Sequence, residues 1–278
     1  MRILISGSSG FVGRALMEAM PEHTWVPLVR DRRKQGIFWS IEQGVLESRD
    51  LEGFDAVVHL AGESLFGLWT ERKRREIEVS RVKSTQLLVR GLAKTKKPPK
   101  IFISTSAIGY YGNCDEPVDE TGKKGSGFLA DVCKKWEESA RVVKIPSCRL
   151  IIARFGIVLS NKGGILAKLT PLFKWGLGGR IGDGSQKMSC IALDDLVNAY
   201  KLFLSDKKCR GIYNLTAPKA ITNAQFTKSL AKSLERPAFC HLPKWVVHLI
   251  FGQMGRELLL ASSNARPARL IATGFSFK

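Results

Sequence analysis

The chain lacks the cysteine and histidine spacings that mark disulfide frameworks and metal sites. Its six cysteines, at positions 114, 133, 148, 190, 209 and 240, are scattered over 278 residues without a CxxC pair. Its four histidines form no pair at metal-ligand spacing beside an acid. Zinc sites and disulfide-rich folds both depend on such clustering. We therefore predict reduced thiols and no bound metal.

Long apolar runs are also absent. No segment approaches the roughly 20 apolar residues of a membrane-spanning helix, and the apolar run at residues 3–5 is too short for a signal peptide. General disorder is excluded, because 44% of the residues are hydrophobic and 9% are aromatic. The sequence predicts a soluble protein of the cytoplasm with no membrane partner.

Acidic residues are scarce. The chain has 44 Lys and Arg against 25 Asp and Glu, which gives a net charge of +19. The basic clusters, at 72–75, 94–100, 123–124 and 207–210, are spread along the sequence. No nucleic-acid-binding motif or aromatic stacking platform accompanies them. General basicity therefore explains the charge better than a nucleic-acid partner, although the charge also suits anionic cofactors and substrates.

The most informative segment is the N-terminal glycine turn. An apolar run ends at Ser6, Gly7, Gly10 and Gly13 follow, and an amphipathic helical pattern comes next. In dinucleotide-binding proteins the first glycine permits a tight turn, the second a close approach to the pyrophosphate, and the third helix packing on the strand. Free amides at the helix start then hold phosphate. The pattern predicts a dinucleotide site, with a purely structural glycine turn as the alternative.

Arg30 favours one dinucleotide over the other. It ends the second predicted strand, where a carboxylate would bind the two adenosine ribose hydroxyls of NAD. A guanidinium at that position suits a 2′-phosphate instead. We therefore predict NADP(H) as the cofactor.

Strand and helix patterns alternate along the chain, which is typical of an α/β fold with a parallel sheet. Residues 56–62 form an apolar run that breaks at a glycine, so Leu60, Ala61 and Gly62 should lie at the carboxyl end of a strand, beside the ligand. We predict a Rossmann-like doubly wound sheet in an NADP-binding domain at residues 1–160, completed by about 189–216. Residues 161–188 and 217–278 should form a small, mostly helical lobe on the substrate side.

Several motifs together resemble the extended short-chain dehydrogenase/reductases, within the NAD-dependent epimerase/dehydratase superfamily. They include Ser6–Gly13, Leu60–Glu63, Ser104–Gly112, Trp136-Glu137 and Arg154–Leu159. The match is best with the epimerase-like branch of NADP-binding oxidoreductases.

The resemblance implies that NADP also contacts Arg81 and the turn at 156–158. By the same resemblance Glu76 could join this wall, the alternative being an ordinary solvated acid. From strand-end position or from the resemblance, the expected cofactor contacts are Gly7, Ser9, Gly10, Phe11, Val12, Gly13, Arg30, Leu60, Ala61, Gly62, Glu76, Arg81, Ser104 and Val158.

The catalytic TyrxxxLys pair of the superfamily is missing. The four tyrosines, at 110, 111, 200 and 213, have Cys114, Asp115, Leu204 and Ala217 four places on. If Glu137 aligns with the acid that often follows the lysine, Leu129 replaces the tyrosine and Cys133 the lysine. Lys134 is adjacent, but one residue turns a helical side chain by about 100°, away from the site.

A substitute acid is conceivable on the loop after the central strand. Ser106 stands where the superfamily has its catalytic serine or threonine, and Tyr110 and Tyr111 follow closely. Either phenol could donate a proton to substrate, or both could serve only as aromatic packing. Without a neighbouring cation their pKa should stay near 10, which suits neutral pH poorly.

Two functions therefore stand first. One is an NADP(H)-dependent oxidoreductase acting on an unknown small molecule, and the other is a catalytically silent NADPH-binding sensor or interaction protein. Sugar-nucleotide epimerisation and nucleic-acid binding have less support. The sequence is compatible with a monomer and with a homodimer.

Overall fold

The computed structural model describes residues 1–142, 145 and 147–278. Within these ranges the strands are β1 (Arg2–Ser6), β2 (Thr24–Val29), β3 (Ile37–Phe38), β4 (Ala56–His59), β5 (Ile101–Ala107), β6 (Cys114–Val118), β7 (Arg149–Phe155), β8 (Ile157–Ser160), β9 (Lys187–Met188), β10 (Cys190–Ala192), β11 (Gly211–Leu215), β12 (Ile221–Thr222) and β13 (Ser263–Ala265). The helices are α1 (Phe11–Ala19), α2 (Glu71–Leu92), α3 (Phe128–Arg141), α4 (Gly164–Lys174), α5 (Leu193–Ser205), α6 (Asn223–Ser233), α7 (Lys244–Met254) and α8 (Ala268–Ala272).

Seven of the strands form a parallel sheet in the order β11-β7-β5-β4-β1-β2-β3. This is the order of a doubly wound nucleotide-binding sheet, in which ligands lie at the carboxyl ends of the strands, where the order reverses. Here the reversal falls between β1 and β4, directly beside the glycine turn. The predicted fold class is confirmed.

The sheet is buried on both faces. Because side chains alternate along a strand, Ile3 and Ile5 face one core with Leu16 and Phe203, from α1 and α5. Leu4 faces the other core, which α2 and α3 cover. Burial on both sides explains why the strands are continuous apolar runs in the sequence.

The apolar spacing of residues 70–94 predicts a long helix, and α2 begins and ends close to these bounds. Thr70 caps α2, because its side chain accepts a hydrogen bond from the backbone amide of Lys73. The sequence pattern also predicts a helix within residues 128–144; α3 ends at Arg141, and the last two positions of that range lie outside the described residues. The strand that follows β7 does not join the main sheet, because β8 pairs with β10 instead.

The C-terminal lobe, defined as residues 161–188 and 217–278, contributes α4, α6, α7 and α8 with short strands between them. One of these, β13, pairs with β6 beyond the central strand, so the lobe lies over the carboxyl edge of the sheet. None of the helices described is long and apolar enough to cross a membrane.

Candidate functional site

Two adjoining cavities follow the carboxyl edge of the sheet. The first, which we call the glycine-turn cavity, has a volume of about 460 Å³ and is lined by Ser9, Arg30 and Ala61 among others. The second, the central cavity, has a volume of about 430 Å³ and lies over β5 and against α3. Both include Gly7, Gly10, Leu60 and Gly62 in their walls. Together they form one elongated groove across the point where the strand order reverses.

The glycine turn leaves no space for larger residues. Gly7 has a φ of +73°, and a Cβ there would lie 3.0 Å from the backbone carbon of Leu60. A Cβ on Gly13 would lie only 2.4 Å from the carbonyl oxygen of Gly7. The turn therefore brings the start of α1 against the sheet, as a pyrophosphate site requires.

The N-terminus of α1 is open to a ligand. Gly10 occupies the capping position without a side-chain hydrogen bond, and the first turn carries no acid. By contrast, α2 and α6 are capped by the hydroxyls of Thr70 and Thr222. The amides of Phe11, Val12 and Gly13 at this helix start thus fit a phosphate group.

Cations lie at the outer end of the groove. Arg30 directly follows β2 and lines the glycine-turn cavity together with Lys34 and the buried Trp39. Arg32, which lies between the two cations in the sequence, instead places its guanidinium 3.9 Å from the centre of the Phe38 ring. The structure therefore separates the predicted phosphate-binding cation from its neighbour.

A buried histidine fixes the loop between the two cavities. The hydroxyl of Ser6 accepts hydrogen bonds from the amides of Leu60 and Ala61, both at 3.1 Å, and directs its own proton to Nδ1 of His59 at 2.7 Å. Nε2 of His59 then donates to the Thr85 hydroxyl at 2.9 Å. Burial lowers the pKa of His59 to about 3, so the ring stays neutral and serves as a structural bridge from the sheet to α2.

The central cavity has a largely apolar wall on α3. Leu129 and Cys133, which the family resemblance aligns with the tyrosine and the lysine, both face it. Burial raises the pKa of Cys133 to about 11, so the thiol stays protonated near neutral pH. Lys134 points away and lies 3.8 Å from Glu138 on the helix surface, as the helical geometry predicts.

Ser106 lines the central cavity, and a buried charge pair lies beneath it. The Ser106 hydroxyl donates to Oε1 of Glu137 at 2.8 Å. Arg154 donates two further hydrogen bonds to Glu137, at 2.7 and 2.8 Å. Burial opposes the charge on Arg154, but hydrogen bonds and attraction from Glu137 outweigh it and raise the pKa of the guanidinium. The Glu137 carboxylate and the Arg154 guanidinium therefore both stay charged. Ser106 lies between this pair and the cavity.

The two candidate tyrosines have other partners. The ring of Tyr110 lies 3.7 Å from the Arg154 guanidinium, outside the cavity lining. The Tyr111 hydroxyl accepts from Arg154 at 2.8 Å and lies within hydrogen-bond distance of the Asp119 carbonyl and Oδ1 of Asn214. Burial raises the pKa of Tyr111 to about 12. The geometry thus corresponds to the packing alternative for both tyrosines.

Three expected cofactor contacts lie outside the two cavities. Glu76 pairs with Arg72 at 2.9 Å and lines neither cavity, although Ser80, one turn later on α2, lines the glycine-turn cavity. Ser104 is level with His59, three residues before the end of β5. Val158 packs on the core, because β8 alternates and it is the preceding Ile157 that faces the cavity.

The groove also contains residues that the sequence did not single out. Trp39, Leu65, Val132 and Leu258 all line it. Trp39 follows a two-residue strand too short to recognise, and Leu258 comes from the lobe, so no local pattern could have placed either beside the glycine turn. Trp136, expected only as a core anchor, also lines the cavity, and its buried Nε1 has no hydrogen-bond partner in the described structure. A ligand in the groove is one way to satisfy such a donor.

A third cavity, the lobe cavity, opens beside the central one. It has a volume of about 420 Å³, shares Gly109 and Leu129 with the central cavity, and is lined by His248 and Arg256 of the lobe. The Glu257 carboxylate joins lobe and domain, because it accepts the amides of Phe128 at 3.1 Å and Leu129 at 2.9 Å at the start of α3. The lobe thus fixes the helix that forms the wall of the central cavity.

A doubly wound sheet, an uncapped glycine turn and a helical lobe over the strand ends define an extended short-chain dehydrogenase/reductase fold. The NAD dependent epimerase/dehydratase family matches residues 3–127, and a domain of unknown function (DUF1731) matches residues 242–278. An epimerase family protein of Mycobacterium leprae is 37% identical over 281 residues, which cover 99% of this chain and 91% of that protein. The chain therefore belongs to the epimerase family of these proteins, as the sequence motifs predicted.

Solved structures agree with this assignment. The human epimerase family protein SDR39U1 (isoform 2), crystallised with NADPH, has a TM-score of 0.91 and 32% identity, covering all of this chain and 95% of that one. A nucleoside-diphosphate sugar epimerase from Corynebacterium glutamicum has a TM-score of 0.81 and 34% identity, covering all of this chain and 55% of that longer one. NADPH, present in the human structure, is the cofactor that the sequence predicts here.

Proposed function

We propose that this protein binds NADPH and acts as an oxidoreductase on a small molecule that enters through the lobe cavity. The observation that carries the proposal is a row of three adjacent cavities with shared lining residues, from Arg30 past the glycine turn and Ser106 to the lobe. A protein that only stored a dinucleotide would have no need of a further cavity beside Ser106. The NADPH in the human relative supports the identity of the cofactor.

The residues of the groove have distinct roles in this proposal. The α1 amides and Gly7 would hold the pyrophosphate, and Arg30 the 2′-phosphate. Leu129 and Val132 would exclude water from the central cavity. When bound, NADPH supplies a hydride for transfer to an acceptor carbon.

Ser106 is the proposed catalytic residue. Ser106 lines the cavity, and its hydroxyl would turn its hydrogen bond from Glu137 to a substrate oxygen, while the proton that completes the reduction is taken from water. Arg154 keeps the Glu137 carboxylate paired whether the Ser106 hydroxyl points to Glu137 or to substrate. No tyrosine of the described residues lines the central cavity, so we expect turnover below that of TyrxxxLys relatives by about 10²–10⁴-fold, the usual contribution of a general acid.

The test is an NADPH-oxidation screen over carbonyl compounds and sugar nucleotides, with any active substrate carried to variants. Ser106→Ala should lower kcat while leaving the Kd for NADPH unchanged. Ser104→Ala is the matched control, because it removes the same hydroxyl from the same strand outside the cavity. Equal activity of Ser106→Ala and wild type would remove Ser106 from the chemistry.

A second candidate is an NADPH-binding protein without turnover. The observation that favours it is that Leu129 and a protonated Cys133 face the central cavity; the family resemblance aligns these residues with the catalytic tyrosine and lysine. In that case NADPH should bind tightly and remain reduced through the whole screen. Appearance of oxidised cofactor on the protein after incubation with a substrate, measured by mass spectrometry, would contradict this candidate.

A further inference from the structure

The positive charge of the chain is concentrated in the C-terminal lobe. Its two segments, 161–188 and 217–278, contain fourteen Lys and Arg but only three Asp and Glu, a net charge of +11 out of +19. Asp183 is paired with Lys244 at 2.7 Å, and Glu257 is turned onto α3. Little negative charge therefore offsets the cations on the lobe surface, which will attract an anionic partner.

Some of these cations line a groove remote from the cofactor cavities. This basic groove has a volume of about 520 Å³ and is lined by Arg180, Lys228 and Arg236, together with Phe239 and His241. No acidic side chain of the described residues lines it. All three cations are exposed. The groove thus has the positive charge to receive phosphate groups.

An apolar tip adjoins the basic groove. It consists of Leu172, Trp175, Leu177 and Phe239, of which Trp175 is 75% and Phe239 89% exposed. Backbone hydrogen bonds from Leu177 to Leu172 and from Cys240 to Gly178 bring these side chains together. The buried Phe173 ring packs against Gly178 and anchors the tip from below. The exposure is therefore built into a fixed turn.

We propose that this surface docks on a membrane that contains anionic lipids. Aromatic and aliphatic side chains of the tip would enter the boundary between headgroups and acyl chains, where tryptophan is favoured. Arg180, Lys228 and Arg236 would contact lipid phosphates beside them. The sequence predicted no membrane partner because it has no apolar run of membrane-spanning length. Surface docking needs no such run, and only the fold brings the segments 172–180 and 228–241 together.

Charge and the aliphatic part of the tip distinguish this occupant from two others. A second copy of the chain would bring two strongly cationic lobes together, which costs repulsion. A nucleic acid would pair with the groove cations and stack bases on Trp175 and Phe239, but it would leave the exposed Leu172 and Leu177 without an apolar partner. An anionic bilayer is complementary to both the charge and the apolar tip.

The test is sedimentation of the full chain with vesicles of phosphatidylcholine alone and with 30% phosphatidylglycerol. We expect binding only to the anionic vesicles. The variant Arg180→Gln/Lys228→Gln/Arg236→Gln should weaken binding by about 100-fold, and Trp175→Ser/Phe239→Ser by roughly tenfold or more. Lys94→Gln/Lys96→Gln/Lys97→Gln removes the same charge from an exposed site elsewhere and should bind as wild type. NADPH titration of every variant verifies the fold.

Three outcomes would overturn the proposal. The first is no binding to anionic vesicles. The second is an equal loss in the Lys94, Lys96 and Lys97 variant, which would mean that net charge alone drives binding. The third is full vesicle binding by Trp175→Ser/Phe239→Ser with tight binding of a DNA duplex, which would assign the groove to nucleic acid.

Discussion

The two ends of the cofactor groove differ in chemistry. At the glycine turn, free amides of α1 and the cations Arg30 and Lys34 face the cavity. At the α3 end, Leu129 and Cys133 face it, and the ion pair of Glu137 with Arg154 is buried beneath Ser106. Binding in this fold depends on backbone geometry at strand ends, whereas proton transfer depends on a few side chains of one helix. Proton transfer can therefore be lost while cofactor binding remains.

The largest effect should come from breaking the buried pair at the α3 end. Glu137→Leu leaves the Arg154 charge without its partner in a site where the guanidinium is 1% exposed. Removing one partner of such a pair costs about 3–5 kcal/mol in the free energy of unfolding. Urea denaturation measures this loss.

The matched control is the double variant Glu137→Leu/Arg154→Met, which removes both charges and should recover most of the stability. A single variant as stable as wild type would mean that the pair does not hold the α3 wall. NADPH binding by the double variant should persist, because the glycine turn is untouched.

At the opposite end, Arg30→Ala should weaken NADPH binding. Loss of hydrogen bonds between charged groups costs about 1.5–3 kcal/mol, or roughly 10–150-fold in Kd. NADH lacks the 2′-phosphate, so its Kd should stay the same. Nicotinamide fluorescence titration measures both constants.

Arg32→Ala serves as the control for Arg30, since the Arg32 guanidinium lies on Phe38 outside the cavity lining. Equal losses in the two variants would indicate a diffuse effect of positive charge and would remove the specific role of Arg30.

Sequence reasoning succeeded where function follows from the order of strands. The glycine turn, Arg30 and the loop at Leu60 were placed correctly at one edge of the sheet, because each follows a recognisable apolar strand. Prediction was less accurate where the direction of a side chain decides whether a residue faces the groove. Val158, Ser104 and Glu76 are close to the groove in sequence, but strand alternation, strand level and an ion pair with Arg72, respectively, direct their side chains elsewhere.

Contacts between distant segments could not be predicted at all. Nothing local to Glu257 indicates that it caps α3, 128 residues earlier in the chain. In the same way, Arg154 and Tyr111 meet only through the pairing of β5 with β7. From the sequence, Tyr110 and Tyr111 could serve either as proton donors or as aromatic packing, because their contacts with Arg154 are known only from the fold.

His59 provides a pH test of the loop between the two ends. Its pKa is lowered to about 3 in the folded state, against 6.5 as its ordinary value. Below pH 6.5, His59 therefore binds a proton in the unfolded chain but not in the folded chain. The free energy of unfolding thus decreases as the pH is lowered to about 3. From pH 6.5 to 5 the loss should be about 2 kcal/mol.

Urea denaturation at pH 7.5 and pH 5 measures this slope in wild type and in His59→Gln, which cannot titrate. The variant should lose about 2 kcal/mol less than wild type over this interval. Identical slopes would show that other groups cause the acid sensitivity.

The smallest effect is expected at Tyr110. Tyr110→Phe keeps the ring on the Arg154 guanidinium and should change the free energy of unfolding by no more than about 0.5 kcal/mol, with activity unchanged. Tyr111→Phe removes a hydroxyl that bonds Arg154 and should cost about 1–3 kcal/mol. The pair of variants, compared by urea denaturation and by kcat on any substrate found, separates packing from proton transfer. A large drop in kcat for Tyr110→Phe at unchanged stability would show that the Tyr110 phenol, and not Ser106, acts on the substrate.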